Sequence, residues 1–287
     1  MGRRVTVSLG IFAASVMVVT DEASPTRTHT LVVNSSKGGT GKTVCLSNIA
    51  AAAASGGARV LLIDADQQAS ATSMMLTHHP GDASVLDAVA DPTRTRDNII
   101  PTDWSLLPEI ETSTGTLDLI PGHENFTDNT LQPTPHDTAR LFALRRIIET
   151  QHGNYDLVVI DCPPSKGPIV QAALLAADTV VAVTTPEFLD VRGLAETMRF
   201  VDAFANQAAA ANETSAALEY LIVNKLDIQQ TDHRAGLAEI SSQVTHIPWR
   251  QVPRRAVIPR VTAQGMPLVA SDDRAAAPEA ETIRAIT

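Results

Sequence analysis

Aromatic residues are scarce in this sequence, at 3% of 287 positions, so the cohesion of any core has to come from alanine, valine, leucine and isoleucine. Cysteine is scarcer still. Cys45 and Cys162 stand far apart with no CxxC spacing, which argues against a metal or iron–sulfur centre held by this chain alone. Both have apolar neighbours, as buried free thiols do, and two unpaired thiols suit a reducing cytoplasm. Positive charge is in deficit. The formal net charge of -10 excludes a protein that coats nucleic acid over its whole surface, while leaving room for a local basic face. A membrane-length apolar run is missing too. Val5 to Thr20, behind Gly2-Arg3-Arg4, has the charged and apolar regions of a signal peptide but is too short for a comfortable spanning helix.

What is present is ordinary for a globular chain, 44% hydrophobic and 19% charged, and long enough for one large α/β domain or two small ones. From His29 onward short apolar runs alternate with longer helical stretches, the pattern of βαβ units. Leu31-Val32-Val33, Val60 to Ile63, Leu157 to Ile160, Thr179 to Val183 and Leu221-Ile222-Val223 read as five strands. These are continuous branched runs rather than alternating ones, so both faces of their sheet should be covered. Helices are expected over Lys42 to Ala54 (ended by Gly56-Gly57), Thr138 to Gln151, Val170 to Ala176, Leu194 to Ala210 and Ala235 to Val244. Thr102 to Gln132, rich in Thr, Pro and Asp, reads as loops at the sheet edge with one strand-like piece, Leu117 to Ile120. No internal repeat or linker is visible. The expected architecture is one doubly wound, mostly parallel α/β domain over 29–287 with helices on both faces, preceded by an extension over 1–28.

The first strand–helix junction carries Lys37-Gly38-Gly39-Thr40-Gly41-Lys42-Thr43. It departs from the phosphate-loop pattern G-x-x-x-x-G-K-[ST] at one place, where Ser36 replaces the first glycine. The chemistry survives. Gly38, Gly39 and Gly41, with Thr40 between them, let backbone N–H groups close on phosphate oxygens, and the helix start at Lys42-Thr43-Val44 adds its positive dipole end. The pattern gives Lys42 to the β- and γ-phosphates of ATP and the Thr43 hydroxyl to Mg²⁺. Lys37 is an additional cation at the mouth of the loop, able to neutralise phosphate in its own subunit or across a dimer. Asp64 and Asp66 follow the second strand and Asp161 the third, the last where a Walker-B carboxylate holds the water shell of Mg²⁺. Strand ends line the ligand crevice of such a sheet, so all three carboxylates should converge on one edge. An exported ATP site would lack ATP, which favours a dispensable extension over 1–28, disordered or begun at an upstream start codon (Met17 is one possible start), over a targeting segment.

Together these pieces resemble the ParA/MinD family of deviant-Walker-A P-loop ATPases, and within it the ParA-type partition ATPases. The match is carried by the loop itself, by Leu61-Leu62-Ile63-Asp64-Ala65-Asp66-Gln67-Gln68, and by Tyr155-Asp156-Leu157-Val158-Val159-Ile160-Asp161-Cys162-Pro163-Pro164. Thr184-Thr185-Pro186-Glu187-Phe188 with Gly193-Leu194, and Val252-Pro253-Arg254-Arg255 with Gly265-Met266-Pro267, extend it over residues 29–275. The resemblance implies an ATP-dependent sandwich homodimer that hydrolyses ATP to ADP and phosphate with Mg²⁺. Lys37 would reach the partner's phosphates, Lys42 would hold those of its own subunit, and Asp66 would help orient the hydrolytic water. Thr43, Asp64 and Asp161 would organise the metal. Asn224, ending the fifth strand, matches the adenine-reading position, with Pro253 nearby. One departure stands out: Asp66-Gln67-Gln68-Ala69-Ser70 replaces the family's Asp-Pro-Gln-Gly-Asn, which puts hydrolysis rate and partner response in question but not nucleotide binding.

From Ile240 to Ser271 there is no Asp or Glu, while Arg250, Arg254, Arg255 and Arg260 all fall there. Such a local positive patch suits salt-sensitive contacts to DNA phosphates, with Trp249 beside it to pack or stack. The resemblance implies non-specific DNA binding through this region, a ParB-type centromere-binding partner, and a cytoplasmic, nucleoid-associated protein. The MinD-like alternative requires an amphipathic membrane anchor. The tail from Ala275 to Thr287 carries Glu279, Glu281 and Arg284 with no bulky apolar stripe, so no anchor is expected there. A synthetase-like enzyme and another cargo-positioning machine stay open.

Overall fold

The computed structural model describes residues 6–9, 14–17, 28–78, 80–102 and 115–254. Inside the N-terminal extension, β1 (Thr6–Leu9) and β2 (Ala14–Met17) pair antiparallel. The chain then runs through β3 (His29–Asn34), α1 (Lys42–Ser55), β4 (Arg59–Asp64), α2 (Ser70–Met75), α3 (Val85–Ala90), a 3₁₀ stretch (Pro92–Asn98), β5 (Ile100–Pro101) and β6 (Thr116–Ile120). Next come α4 (Asp128–Leu131), a second 3₁₀ stretch (Thr138–Phe142), α5 (Ala143–Glu149), β7 (Leu157–Asp161), α6 (Pro168–Ala176) and β8 (Thr179–Thr184). The described part ends with α7 (Phe188–Ala210), β9 (Ala217–Leu226), α8 (Thr231–Gln243) and β10 (Trp249–Pro253).

Eight strands form one sheet in the order β10-β9-β8-β3-β7-β4-β6-β5, every neighbouring pair parallel except β5 with β6. From central β3 the chain moves first toward β4 and β6, then returns to place β7 between β3 and β4 before filling the other side. That reversal opens a crevice at the C-terminal ends of β3, β7 and β4. Alternate residues of the continuous apolar strands serve the two faces. Leu31, Val33, Val60, Leu62 and Val159 pack under α1, whereas Val32, Leu61, Ile63, Val158 and Ile160 pack with α5 and α6. A third cluster joins β8 and β9 to α7 and α8 through Ala182, Leu221, Val223, Leu194 and Ile240.

Small side chains compensate for the shortage of rings. Ala50 to Ala54 of α1 are all buried, and their size lets the helix lie close to the sheet. Contact is tight enough that a Cβ at Gly115 would come within 2.1 Å of the Ala54 carbonyl oxygen. Both cysteines are buried and free.

The expected doubly wound sheet is present, and the five predicted strands are its five central members. Several elements differ from the sequence reading. Leu117 to Ile120 belongs to a strand one place in from the edge, with the short β5 outside it. Thr138 to Gln151 splits into a 3₁₀ turn and α5, the break falling at Phe142 (φ -93°, ψ 6°). Helices α7 and α8 begin several residues before the apolar periodicity does, because their first turns are polar or solvent-facing. The extra elements α2, α3, α4, β5 and β10 are short, and segments of that length carry too few periods to register.

Candidate functional site

The phosphate loop leaves the end of β3 and enters α1. Gly39 and Gly41 have φ of 83° and 85°, the left-handed region that costs glycine nothing. A Cβ on Gly41 would also meet the Asn224 amide nitrogen at 2.3 Å. Helix α1 starts with no side-chain cap and no acidic residue in its first turn, so its positive end stays open to an anion. Nothing lies within 4 Å of the positions where side chains on Gly38 or Gly39 would project, and Thr40 Oγ1 is a buried polar atom without a partner. These features fit a phosphate chain. The loop, with Ser35, Asp66, Gln68, Ser70, Ser73, Met74 and Pro164, lines a cavity of about 580 Å³, within the usual size range of small-molecule sites. A larger cleft of about 1230 Å³ holds Asp82, Asp87, Asp91, Asp97 and Glu124; despite Arg94 and His123 on its wall, its acidity would repel phosphate.

Polar side chains converge behind the loop. Lys42 forms an ion pair and hydrogen bond with Asp161 Oδ1, and Thr43 Oγ1 donates to Asp161 Oδ2 at 2.7 Å. Burial pulls the Lys42 pKa down, but Asp161 beside it more than offsets this and the net shift is upward. Asp64 is the register partner of Asp161 across β4 and β7. Its Oδ2 accepts from the Thr72 N–H at 2.7 Å and hydroxyl at 2.8 Å. Burial, with the Asp161 charge next to it, pushes the Asp64 carboxyl up to about 7. Asp66 lines the cavity, its Oδ1 accepting from Gln68 N–H at 3.0 Å. Among the described residues no three carboxylates, imidazoles or thiols cluster so as to hold a metal by themselves. Any cation here would draw on Thr43 and on the oxygens of its ligand.

The raised Asp64 pKa has a defined sign. The folded chain retains a proton that the unfolded chain, with an aspartate pKa near 3.9, releases. This contribution to stability is full below about 4 and is lost as pH climbs to about 7. Melting temperatures of the nucleotide-free protein between pH 4 and 8 should therefore fall across that window. Asp64→Asn should flatten the slope; a parallel profile in the variant would contradict the shift.

Lys37 lies at the rim, 41% exposed against 7% for Lys42, with its ammonium 2.9 Å from Asp190 Oδ1. Asn224 sits inside β9, not at its end, and its side chain donates to the Thr40 carbonyl at 2.8 Å. Neither Asn224 nor Pro253 lines the phosphate cavity. Lys225, which sequence reasoning passed over, adopts φ 57° and donates from Nζ to the Gly39 carbonyl, so two successive residues of β9 strap the loop. Asp190 was also missed. Its signal was faint, a carboxylate five residues after a threonine. The altered segment after β4 shows a physical cost: Ala69, at the family's glycine position, has φ 47°, a conformation that costs a residue with a Cβ about 1–2 kcal/mol. Of the four arginines, Arg250 is half-buried on β10 and Arg254 exposed just beyond it; Arg255 and Arg260 lie outside the described residues. Trp249 packs against the cluster between α7 and α8.

A family model described as an AAA domain matches residues 28–214. The sporulation initiation inhibitor protein Soj of Bacillus subtilis is 29% identical over 249 residues, spanning 85% of this chain and 91% of Soj. A plasmid partition protein from Borrelia burgdorferi, solved with AMPPNP, superposes with a TM-score of 0.68 at 25% identity, covering 91% of this chain and 98% of that one. Apo McdA from Cyanothece shares the fold, with a TM-score of 0.74 at 19% identity over 91% of this chain and 98% of its own. The chain therefore belongs to the ParA/MinD family of P-loop ATPases.

Proposed function

We propose that this protein is a ParA-like partition ATPase: it forms an ATP-dependent sandwich dimer, binds DNA without sequence preference and answers to a ParB-type partner. The observation that carries this reading is the division of labour between two lysines, one buried against Asp161 and one held out at the rim. A single-protomer site needs only the first. The second, with Phe188 and Leu189 65% and 59% exposed on the same helix turn as its partner Asp190, suits contact with a second copy.

Bound ATP and Mg²⁺ would supply the phosphoanhydride and the charge neutralisation for its cleavage. The chain's own part is to bind and orient. Lys42 and the loop N–H groups would hold the phosphate oxygens, and Thr43, Asp161 and Asp64 are the residues that would hold Mg²⁺ and its waters. Lys37 serves the partner's phosphates. Asp66, at the edge of the cavity, orients the attacking water, while Asn224 and Pro253 flank the base side. The protein would act in the cytoplasm on the nucleoid; no helix among the described residues is long and apolar enough to cross a membrane.

DNA binding tests the reading. Affinity for random duplex should be high with ATP, low with ADP or no nucleotide, and should weaken steeply with salt. Arg254→Glu with Arg255→Glu should flatten the log–log salt dependence by about 2 for each protomer in contact with DNA, about 4 for the dimer, at one unit per lost phosphate contact, with ATP affinity intact. Unchanged DNA affinity in that variant would remove the basic patch from the reading. ATP-dependent capture by anionic vesicles without DNA binding would favour a MinD-like role instead.

A further inference from the structure

The contact between Lys37 and Asp190 is built into the fold. Asp190 is the third residue of α7, where the positive end of a helix favours a carboxylate. While Oδ1 takes the lysine, Oδ2 accepts from Thr185 Oγ1 at 2.6 Å, and the Asp190 carbonyl accepts from Thr184 Oγ1 at 3.1 Å. Thr185 Oγ1 in turn accepts from the Glu187 N–H at 3.4 Å. The Thr184-Thr185-Pro186-Glu187 segment thus fixes one carboxylate, whose side chain is only 10% exposed. The same helix turn is pressed onto the start of the loop, since a Cβ on Gly193 would fall 2.2 Å from Ser36 Oγ. The segments that carry the two partners therefore meet where the Ser36 side chain lies against Gly193, and the more exposed lysine is the mobile half.

We propose that Asp190 is a positioning residue for Lys37. It holds the ammonium over its own protomer's loop in the resting chain, and releases it when a second protomer brings a triphosphate within reach. This rests on the dimer reading above. The competition is uneven: one carboxylate against several phosphate oxygens carrying more than one negative charge. A half-exposed ion pair biases such an equilibrium by about 2- to 5-fold rather than blocking it, so the tie sets a threshold in nucleotide concentration. It also gives Lys37 a defined starting place, next to the exposed Phe188 and Leu189 that a second copy would cover.

The test is an AMPPNP titration of dimerisation, followed by light scattering on the eluting full-length protein. Asp190→Asn keeps the shape and the acceptor for Thr185 but removes the charge. It should lower the half-saturating AMPPNP concentration by about 2- to 5-fold, with no dimer in ADP. The variant's affinity for AMPPNP at protein concentrations too low for dimerisation should equal that of the wild type, so that the shift lies in dimerisation alone, a result that a merely structural role for Asp190 would not give. A wild type that dimerises alongside an Asp190→Asn variant that dimerises equally or less well overturns this proposal alone. Failure of the wild type to dimerise with any nucleotide overturns the dimer reading and this proposal with it.

Discussion

Lys42→Ala should lower affinity for ATP by about 100-fold or more, the scale expected when one partner of a buried, hydrogen-bonded charge pair is removed. The lysine is the most enclosed cation at the site, and the other two stand elsewhere: Lys37 at the rim beside Asp190 and Lys225 on the Gly39 carbonyl. A second consequence follows from the same geometry. Without its ammonium, Asp161 is left fully buried with the Thr43 hydroxyl as its remaining side-chain donor, near Asp64 and Asp66. Breaking a buried pair in this way costs about 3–5 kcal/mol, an upper bound here because Asp161 can take up a proton. Titration with a fluorescent ATP analogue and a melting curve in the absence of nucleotide measure the two effects separately. Wild-type affinity in a variant that has lost stability would mean that Lys42 is only a structural counter-ion.

Asp66→Ala should separate binding from turnover. Asp66 lines the cavity, and its Oδ1 already accepts from the backbone of Gln68, so removing it leaves the phosphate loop and Lys42 in place. Positioned acid–base groups contribute about 10²–10⁴-fold to rate, and hydrolysis in single-turnover assays should drop by about 100-fold at the least. ATP-dependent dimerisation should persist and last longer. Loss of the dimer together with turnover would make Asp66 a structural support of the Asp66–Ser70 loop; unchanged turnover would move water orientation to another group.

The phosphate loop and the carboxylates were legible because each is announced by residue types that have few other uses in that order. Gly38-Gly39-Thr40-Gly41 between an apolar run and a helix has one economical conformation, and an aspartate that follows a buried strand must emerge at the sheet's C-terminal edge. The strands themselves were clear for the same reason, since Leu157 to Ile160 could not be anything but buried on both faces. What escaped were contacts made by residues whose types say little alone. Lys225 reads as an ordinary surface lysine until β9 is seen to bring it over Gly39, and Asp190 as a helix-start carboxylate until α7 is seen to lie on Ser36. The strain at Ala69 was half-visible: the missing glycine showed in the sequence, but only the backbone reveals that the turn kept its left-handed shape. For β10 and α2 there were too few residues to show a period, and their placement depends on partners distant along the chain.

The run Ala50 to Ala54 has a mechanical consequence. Over this stretch the helix sits on methyl groups, and its longer buried side chains, Leu46 and Ile49, lie nearer the loop, so bulk added beneath the alanines is relieved mainly by moving the rod. The front of that rod is Lys42-Thr43, and its back end abuts Gly115. Size changes seven to eleven residues behind Thr43 should thus be felt as displacement of the phosphate-binding end, making α1 a push-rod between the sheet interior and the nucleotide site. Selection on this stretch would then read as selection on activity, although none of its alanines could touch a substrate.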